Sequence, residues 1–325
     1  MKSQRKELPL VEPLYSTYHS EGAATAVISS NPSIRNWYYN NILMLKCSKD
    51  FLNGYTSPKL HIENTSWEKN PYLLKYWFQL EFIYGYEHEV IRRLLDKNYY
   101  VVFMGADDYY IKGKTFYRQR HFSHDGLICG YDLNEKKYCL YSYNSDWQYK
   151  KFWTSSYGLK HAFNCMTQQE KYGLISGIKP LDDVEIQFNS SDAVKKIKEY
   201  LCSNSILKKS ENEVRGIEVN EYICKYIEKI LDSSIPYEKI DWRVLRVLWE
   251  HKKVMYERLL LMSKESKTNM EKICSSYQKI ANRMNAARMM YASYCRKRKD
   301  SILNPIKEII SQSMEEEYIL LNKII

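Results

Sequence analysis

The spacing of apolar residues divides the chain into two parts that predict different secondary structure. Up to about residue 180, short runs rich in Tyr, Trp and Phe are separated by polar turns, a pattern typical of β-strands mixed with short helices. The pattern predicts strands at residues 99–104, 127–131 and 138–143, the last two joined as a hairpin, and helices at residues 23–29, 34–47 and 84–95. The first part is therefore predicted to be an α+β domain.

After about residue 190 the apolar residues recur at spacings of three and four, the period of helices that pack against one another. The longest such stripe consists of Met270, Ile273, Tyr277, Ile280, Met284, Ala287, Tyr291 and Tyr294. Shorter stripes occupy residues 244–262 and 306–314. We therefore predict two domains, residues 1–185 and a helical bundle over residues 186–325.

Composition narrows the range of functions. The 325 residues carry a formal charge of +10, which favours an acidic partner, but no zinc-finger spacing or long basic tract points to nucleic acid. No apolar run approaches the roughly 20 residues that cross a bilayer, and no apolar segment follows the basic N-terminal residues, so a cytoplasmic protein without a membrane partner is expected. The eight cysteines show no metal-ligand spacing, and no metal is expected.

Residues 18–27, Tyr-His-Ser-Glu-Gly-Ala-Ala-Thr-Ala-Val, suggest a helix that starts after a turn at Gly22. Residue 23 would then stand at the electropositive helix N-terminus, where a cysteine thiol loses its proton readily. Ala23 occupies that position in this chain. On these residues alone, close packing of a small side chain is the simpler interpretation.

A second group of residues supplies candidates for acid–base chemistry. His124 opens a predicted strand, and a histidine beside a helix N-terminal cysteine is the pair that nucleophilic catalysis needs. The next strand ends near Asn144 and Asp146, either of which is a candidate to orient the imidazole, with Asn144 preferred. A further candidate set is Asp107, Asp108 and Tyr109, which we interpret as a contact for a cationic amine substrate rather than a metal site.

These residues carry a family resemblance. Val101 to Ile111, together with His124 six residues before Gly130-Tyr131-Asp132, resembles the butirosin biosynthesis protein H N-terminal family, a branch of the peptidase C39-like cysteine enzymes. Residues 23–27, Ala-Ala-Thr-Ala-Val, match that family's Cys-x-Thr-Ala-Leu type of motif, with Ala23 in place of the cysteine and the similar Val27 in place of the leucine. The resemblance covers about residues 10–180 and implies a papain-like fold, with Ala23 at the nucleophile position.

The resemblance also implies a reaction. Family members take a peptidyl or acyl group from a carrier-protein thioester and pass it to an amine or diamine, forming an amide bond in nonribosomal peptide and antibiotic biosynthesis. No cofactor is expected, because the phosphopantetheine belongs to the acyl or peptidyl carrier protein. Papain-like enzymes place a glutamine just upstream of the cysteine as oxyanion donor, but no glutamine lies between Gln4 and Gln79, which leaves Thr17, Tyr18, His19 or a backbone N–H for that role.

Ala23 leaves three interpretations open. The chain is either an inactive form of a cysteine acyltransferase, by engineering or by natural loss of the nucleophile, or a cysteine hydrolase (peptidase or thioesterase) in the same condition. The third interpretation is a non-catalytic scaffold that holds carrier proteins through its helical half, where the basic side chains of residues 283–299 are a candidate docking face.

Overall fold

The computed structural model describes residues 4–54, 57–169, 174–202, 211–265 and 270–325, with residues 29–30 and 165–169 described by their backbone alone. It is a mixed α/β structure, 51% helical and 20% strand. The α-helices in chain order are α1 (His19–Ala26), α2 (Ile34–Asn41), α3 (Glu87–Asp96), α4 (Ser156–Gln169), α5 (Ser190–Leu201), α6 (Val219–Leu231), α7 (Val244–Glu265), α8 (Glu271–Lys297) and α9 (Leu303–Leu321). The strands are β1 (Arg5–Glu7), β2 (Leu45–Ser48), β3 (His61–Ile62), β4 (Leu73–Gln79), β5 (Tyr100–Asp107), β6 (Ser123–Asp132), β7 (Lys137–Tyr143), β8 (Tyr149–Ser155), β9 (Leu174–Pro180) and β10 (Glu213–Arg215).

The chain divides into two compact units. The first contains residues 1–34 and 65–185, and the second contains residues 35–64 and 186–325. The division therefore has a boundary between residues 185 and 186, and it also assigns residues 35–64 to the unit that contains the C-terminal helices.

The first unit is built on an antiparallel sheet in the order β4-β9-β5-β6-β7-β8, with β1 paired to the far end of β6. The predicted hairpin is confirmed as β6 and β7, whose turn includes Lys136 with a positive φ of 51°. Strands β5 to β7 are almost wholly buried because helices pack on the sheet, among them α1 against β6 and α4 against β5. The burial of most of β6 therefore fixes the position of its first residues, Ser123 and His124.

In the second unit the predicted stripe of α8 is confirmed, because Tyr277, Ile280, Met284, Ala287 and Tyr291 are all buried. Helix α8 packs between α7 and α9, and α6 packs on α9. The predicted helix over residues 34–47 is wrong at its end, since α2 stops at Asn41 and residues 45–48 form β2, the middle strand of a small sheet in the order β10-β2-β3.

Two buried side chains of α7, Arg258 and His251, bind the backbone at and just after the end of α2. The guanidinium of Arg258, fully buried, donates to the carbonyl oxygens of Tyr39 and Ile42 at 2.6 Å each, which are groups that a helix C-terminus leaves without intrahelical partners. The Nε2 of His251 donates to the carbonyl of Leu43 at 2.9 Å. Residues 35–64 are thus held within the helical unit by backbone contacts from α7.

Candidate active site

A β-bulge brings the candidate residues together at the end of β5. Phe103 pairs with Gly126, but Ala106 pairs with His124, so β5 carries one extra residue between these pairs. Gly105 has a positive φ of 83°, which favours glycine, and its N–H donates to Asp125 Oδ1 at 2.9 Å. Bulges bend a strand and redirect its side chains, and this one precedes Asp107 and the 3-10 turn Asp108–Tyr110.

His124 and Asp108 form a histidine–carboxylate pair. The Nδ1 of His124 lies 3.1 Å from Asp108 Oδ2, so the ring donates to the carboxylate. Asp108 is buried, whereas the side chain of His124 is 32% exposed, and no hydrogen bond within the described part of the chain uses its Nε2. Lys114 Nζ also lies 3.5 Å from Nδ1, but the carboxylate is closer, so it orients the ring and favours the tautomer with the hydrogen on Nδ1. In that tautomer Nε2 is the nitrogen that can accept a proton.

Lys114 supports this pair from inside the protein. Its Nζ is fully buried and lies 3.4 Å from Asp108 Oδ1, 2.8 Å from Ser142 Oγ and 3.1 Å from the carbonyl of Asp125. Burial lowers the pKa of Lys114, and the carboxylate of Asp108 opposes that shift. Asp108 thus has the imidazole of His124 hydrogen-bonded to one carboxylate oxygen, and the ammonium of Lys114 at ion-pair distance from the other.

His19 packs against the His124 ring. The two ring centroids are 4.6 Å apart with the planes at 83°, and His19 Nδ1 and Nε2 each lie 3.4 Å from Ser142 Oγ. Burial, followed by the nearby Lys114 and His124, lowers the pKa of His19 well below its ordinary value. His19 is therefore neutral near pH 7 and its position suits a donor or an acceptor in the site.

The prediction that residue 23 opens a helix is wrong, because α1 begins four residues earlier, at His19. The positive end of the helix dipole belongs to the first turn of α1, and the intrahelical bonds begin at Gly22, whose N–H donates to the carbonyl of Tyr18 at 2.9 Å. Ala23 therefore lies inside the helix and is 1% exposed. The half-buried hydroxyl in that first turn is Ser20. Ala23 remains one helical turn from His19 on the same face, since residues four apart are neighbours.

The close packing of α1 has a visible cause at Gly22. A Cβ on Gly22 would lie 2.5 Å from the Cζ of Tyr149, inside the van der Waals distance. The Tyr149 ring is itself packed against His19, Tyr141 and Tyr143. Glycine at position 22 thus serves the approach of α1 to β8, and not a sharp turn before the helix.

Asn144 and Asp146 build the turn between β7 and β8. Asn144 Oδ1 accepts from the N–H groups of Asp146 at 3.0 Å and Gln148 at 2.9 Å, and its Nδ2 lies 3.3 Å from Asp146 Oδ2. Such bonds are typical of an Asx turn. In the described structure, the orienting contact expected from Asn144 or Asp146 is made to His124 by Asp108 instead.

Asp107 forms a second histidine–carboxylate pair, with His121. His121 Nδ1 lies 2.6 Å from Asp107 Oδ2, and Asp107 Oδ1 accepts from the N–H groups of Tyr109 and Phe122. The ring of His121 stacks on Tyr109 at 4.5 Å. Both aspartates are buried and bonded to side chains of the protein, so the geometry does not favour either as the contact for a substrate amine.

The remaining predicted residues lie close to this site or belong to its frame. Tyr18 is the N-cap position of α1 and is half-buried. The competing thiols Cys47 and Cys129 are both buried. Burial raises the pKa of Cys47 to about 12, and the hydrogen bond that Cys129 donates to Cys139, followed by burial, raises the pKa of Cys129. Neither thiol is activated. Lys114 and Ser142 were not predicted, because a single lysine or serine without a periodic context gives no signal in one sequence.

No family model and no curated protein matches this chain. Within the described residues no helix is long and apolar enough to cross a membrane, and no cluster of three or more His, Cys, Asp or Glu side chains could hold a metal ion.

Proposed function

We propose that the first unit is an acyltransferase with a papain-like arrangement of helix and sheet, in which His124 is the general base and acid and Asp108 orients it. The observation that carries the proposal is the 3.1 Å contact between the two residues, which leaves Nε2 of a partly exposed ring available. A positioned histidine of this kind accelerates proton-transfer steps about 10²–10⁴-fold.

The substrates in this proposal are a peptidyl or acyl thioester on a carrier protein and an amine. The family resemblance of residues 10–180 supports this class, and the net charge of +10 suits an acidic carrier. The protein then needs no cofactor of its own. The cytoplasm, where carrier proteins are loaded in natural-product biosynthesis, is the proposed compartment.

With alanine at position 23, the reaction we propose for this chain is direct transfer. The amine nitrogen attacks the thioester carbonyl, His124 Nε2 takes the proton that the nitrogen loses, the C–N bond forms and the C–S bond breaks. The proton on His124 then passes to the leaving thiolate. An acyl-enzyme on a cysteine at position 23 is the corresponding two-step route, and it requires Ala23→Cys.

The test is thiol release from an acyl thioester of N-acetylcysteamine and from an acyl-loaded carrier protein, with and without added amines, and identification of products by mass. His124→Gln should lower the rate by about 10²–10⁴-fold. His121→Gln is the matched control, since His121 also bonds to a buried aspartate and lies three residues away. Equal rates for the two variants would rule out a special role for His124.

The product distinguishes the remaining alternatives. Release of the free acid at a rate that amines do not alter would indicate a hydrolase, in which His124 activates water. Absence of thiol release together with retained binding of the carrier would favour the non-catalytic scaffold. Ala23→Cys with a loaded carrier, followed by intact-mass measurement, tests whether position 23 accepts an acyl group; its burial predicts that it accepts little.

A further inference from the structure

Strand β4 lies at one edge of the seven-stranded sheet. Its seven residues pair with β9 on one side, and on the other side no strand of the described chain pairs with it. Long free edges of this kind are uncommon, because their unpaired N–H and C=O groups attract further strands. A further strand could therefore pair with the outer side of β4.

The pairing with β9 tells which backbone groups face outward. The N–H of Leu181 donates to the carbonyl of Tyr72 at 3.0 Å, so the carbonyl of Tyr72 points toward the chain after β9, while the N–H of Tyr72 donates to Asn70 Oδ1 at 2.8 Å. Hydrogen-bonded and non-bonded pairs alternate, and therefore the backbone groups of Leu73, Lys75, Trp77 and Gln79 point away from β9. The pairing of Leu73 with Pro180, which has no N–H, agrees with this phase.

The edge lacks the features that normally prevent association. Natural edge strands carry exposed lysines, prolines or bulges. Here the single charged residue of β4, Lys75, donates its ammonium to the carbonyls of Glu68 and Asn70 at 3.0 and 2.6 Å. The pairing of β4 with β9 is also continuous, without a bulge.

The surroundings of the edge are aromatic and exposed. The side chains that are more than half exposed in and just after β4 are Tyr76, Trp77, Phe82, Tyr84 and Tyr86. Because an aromatic side chain carries about 150–250 Å² of surface, these five offer on the order of 600 Å². A strand paired to this edge would bury part of that surface, together with the backbone edge and Leu74, toward the roughly 800 Å² per partner of a standard protein–protein interface.

We propose that β4 pairs antiparallel with β4 of a second copy of this chain, which joins two sheets across a two-fold axis. The register that uses every outward group places Tyr76 opposite the second copy's Tyr76 and Lys75 opposite the second copy's Trp77. A two-fold axis makes the interface self-complementary, so one edge satisfies the other. This proposal is independent of the proposed catalytic function.

Cysteine crosslinking tests the register. In a non-hydrogen-bonded antiparallel pair the Cα atoms are about 4.5 Å apart, within the range of a disulfide. In a Cys202→Ser background, which removes an exposed thiol, Tyr76→Cys should form a covalent dimer on oxidation. Leu74→Cys is the matched control and should not, because position 74 faces the second copy's Phe78.

Sedimentation equilibrium over the micromolar range tests the association itself. The unmodified chain should be a dimer, and Trp77→Lys, which adds the charge typical of free edges, should be a monomer with an unchanged circular dichroism spectrum. Tyr157→Lys changes an equally exposed ring on α4 and should remain a dimer. A monomeric unmodified chain would overturn the proposal, as would a dimer that Tyr76→Cys does not crosslink. If Trp77→Lys fails to fold, the two cysteine variants decide alone.

Discussion

Replacing Asp108 by Asn tests the electrostatics of the candidate site without requiring a substrate. The variant keeps the shape of the side chain but removes the negative charge 3.4 Å from the buried Nζ of Lys114. At an effective dielectric constant of 20, two unit charges at that distance attract by about 5 kcal/mol. Because Ser142 and the carbonyl of Asp125 remain bonded to Nζ, we expect a net loss near the usual cost of breaking a buried pair, about 3–5 kcal/mol.

The loss should depend on pH in a defined direction. The pKa of Lys114 in the folded protein is already lowered by burial, and without Asp108 it falls further below its ordinary value of 10.5. Between the folded and the unfolded pKa the unfolded chain binds more protons, so the stability of the variant rises with pH. The deficit relative to the unmodified protein should therefore shrink as the pH is raised from 7 toward 10.5.

Urea unfolding followed by circular dichroism at several pH values measures this deficit. For a unit of about 150 residues the corresponding fall in Tm at pH 7 is roughly 6–20 °C. Asp107→Asn is the control, since its oxygen still accepts from the N–H of Tyr109 and its partner His121 is more than half exposed, so its cost should stay near or below ~1 kcal/mol. A deficit for Asp108→Asn below about 1 kcal/mol, or one that does not change with pH, would refute the reasoning.

Three further predictions concern packing and buried charge. Gly22→Ala should destabilise the first unit by about 1–3 kcal/mol in urea unfolding, because the Cβ of the new alanine meets the packed ring of Tyr149. A variant as stable as the unmodified protein, or more stable, would contradict the close approach of α1 to β8. In the helical unit, Glu317→Gln removes the counter-charge 2.6 Å from the fully buried Lys252 and should cost about 3–5 kcal/mol. Lys252→Met combined with Glu317→Leu removes both charges but also takes the Glu317 acceptor from the buried hydroxyls of Tyr200 and Tyr277, so it should recover only part of that cost. If the costs of Lys252→Met and Glu317→Leu simply add in the double variant, the two charges are not coupled. Burial lowers the pKa of His251 well below 6.5, so the unfolded chain binds more protons at this residue. The stability of this unit should therefore fall as the pH drops below 6.5. His251→Gln should flatten that fall, and an unchanged slope would show that another group causes it.

Elements with a strong apolar period could be predicted from the sequence, and elements defined by long-range pairing could not. The stripe of α8 and the hairpin of β6 and β7 are local patterns, and both are found. Strands β4 and β9 lie about 100 residues apart in the chain, and neither shows a period that a single sequence reveals. The end of α2 was missed because it depends on Arg258, more than 200 residues away.

The candidate site shows the same limit at the scale of single residues. His124 could be predicted as the base because it stands at the start of a strand beside a possible helix end. Its orienting partner could not, since the bulge at Gly105 shifts the register by one residue and brings the turn after β5, not the end of β7, to His124. The start of α1 predicted from the sequence is four residues too late, because Gly22 suggests a turn there, whereas in the structure it allows close contact with Tyr149.

The two histidine–aspartate pairs differ in how far their rings are buried, and this difference distinguishes His124 from His121. Asp107 and Asp108 are consecutive and both buried, and each bonds to Nδ1 of a histidine on the returning chain. The ring of His121 is more than half exposed, so water screens whatever charge it gains. The ring of His124 is 32% exposed and is contacted by Asp108, His19 and Phe122, so a charge that develops on it is stabilised by groups already in place. A base that must gain a proton during a reaction benefits from this partial burial, which is the physical reason to place the chemistry at His124 and not at its more accessible neighbour.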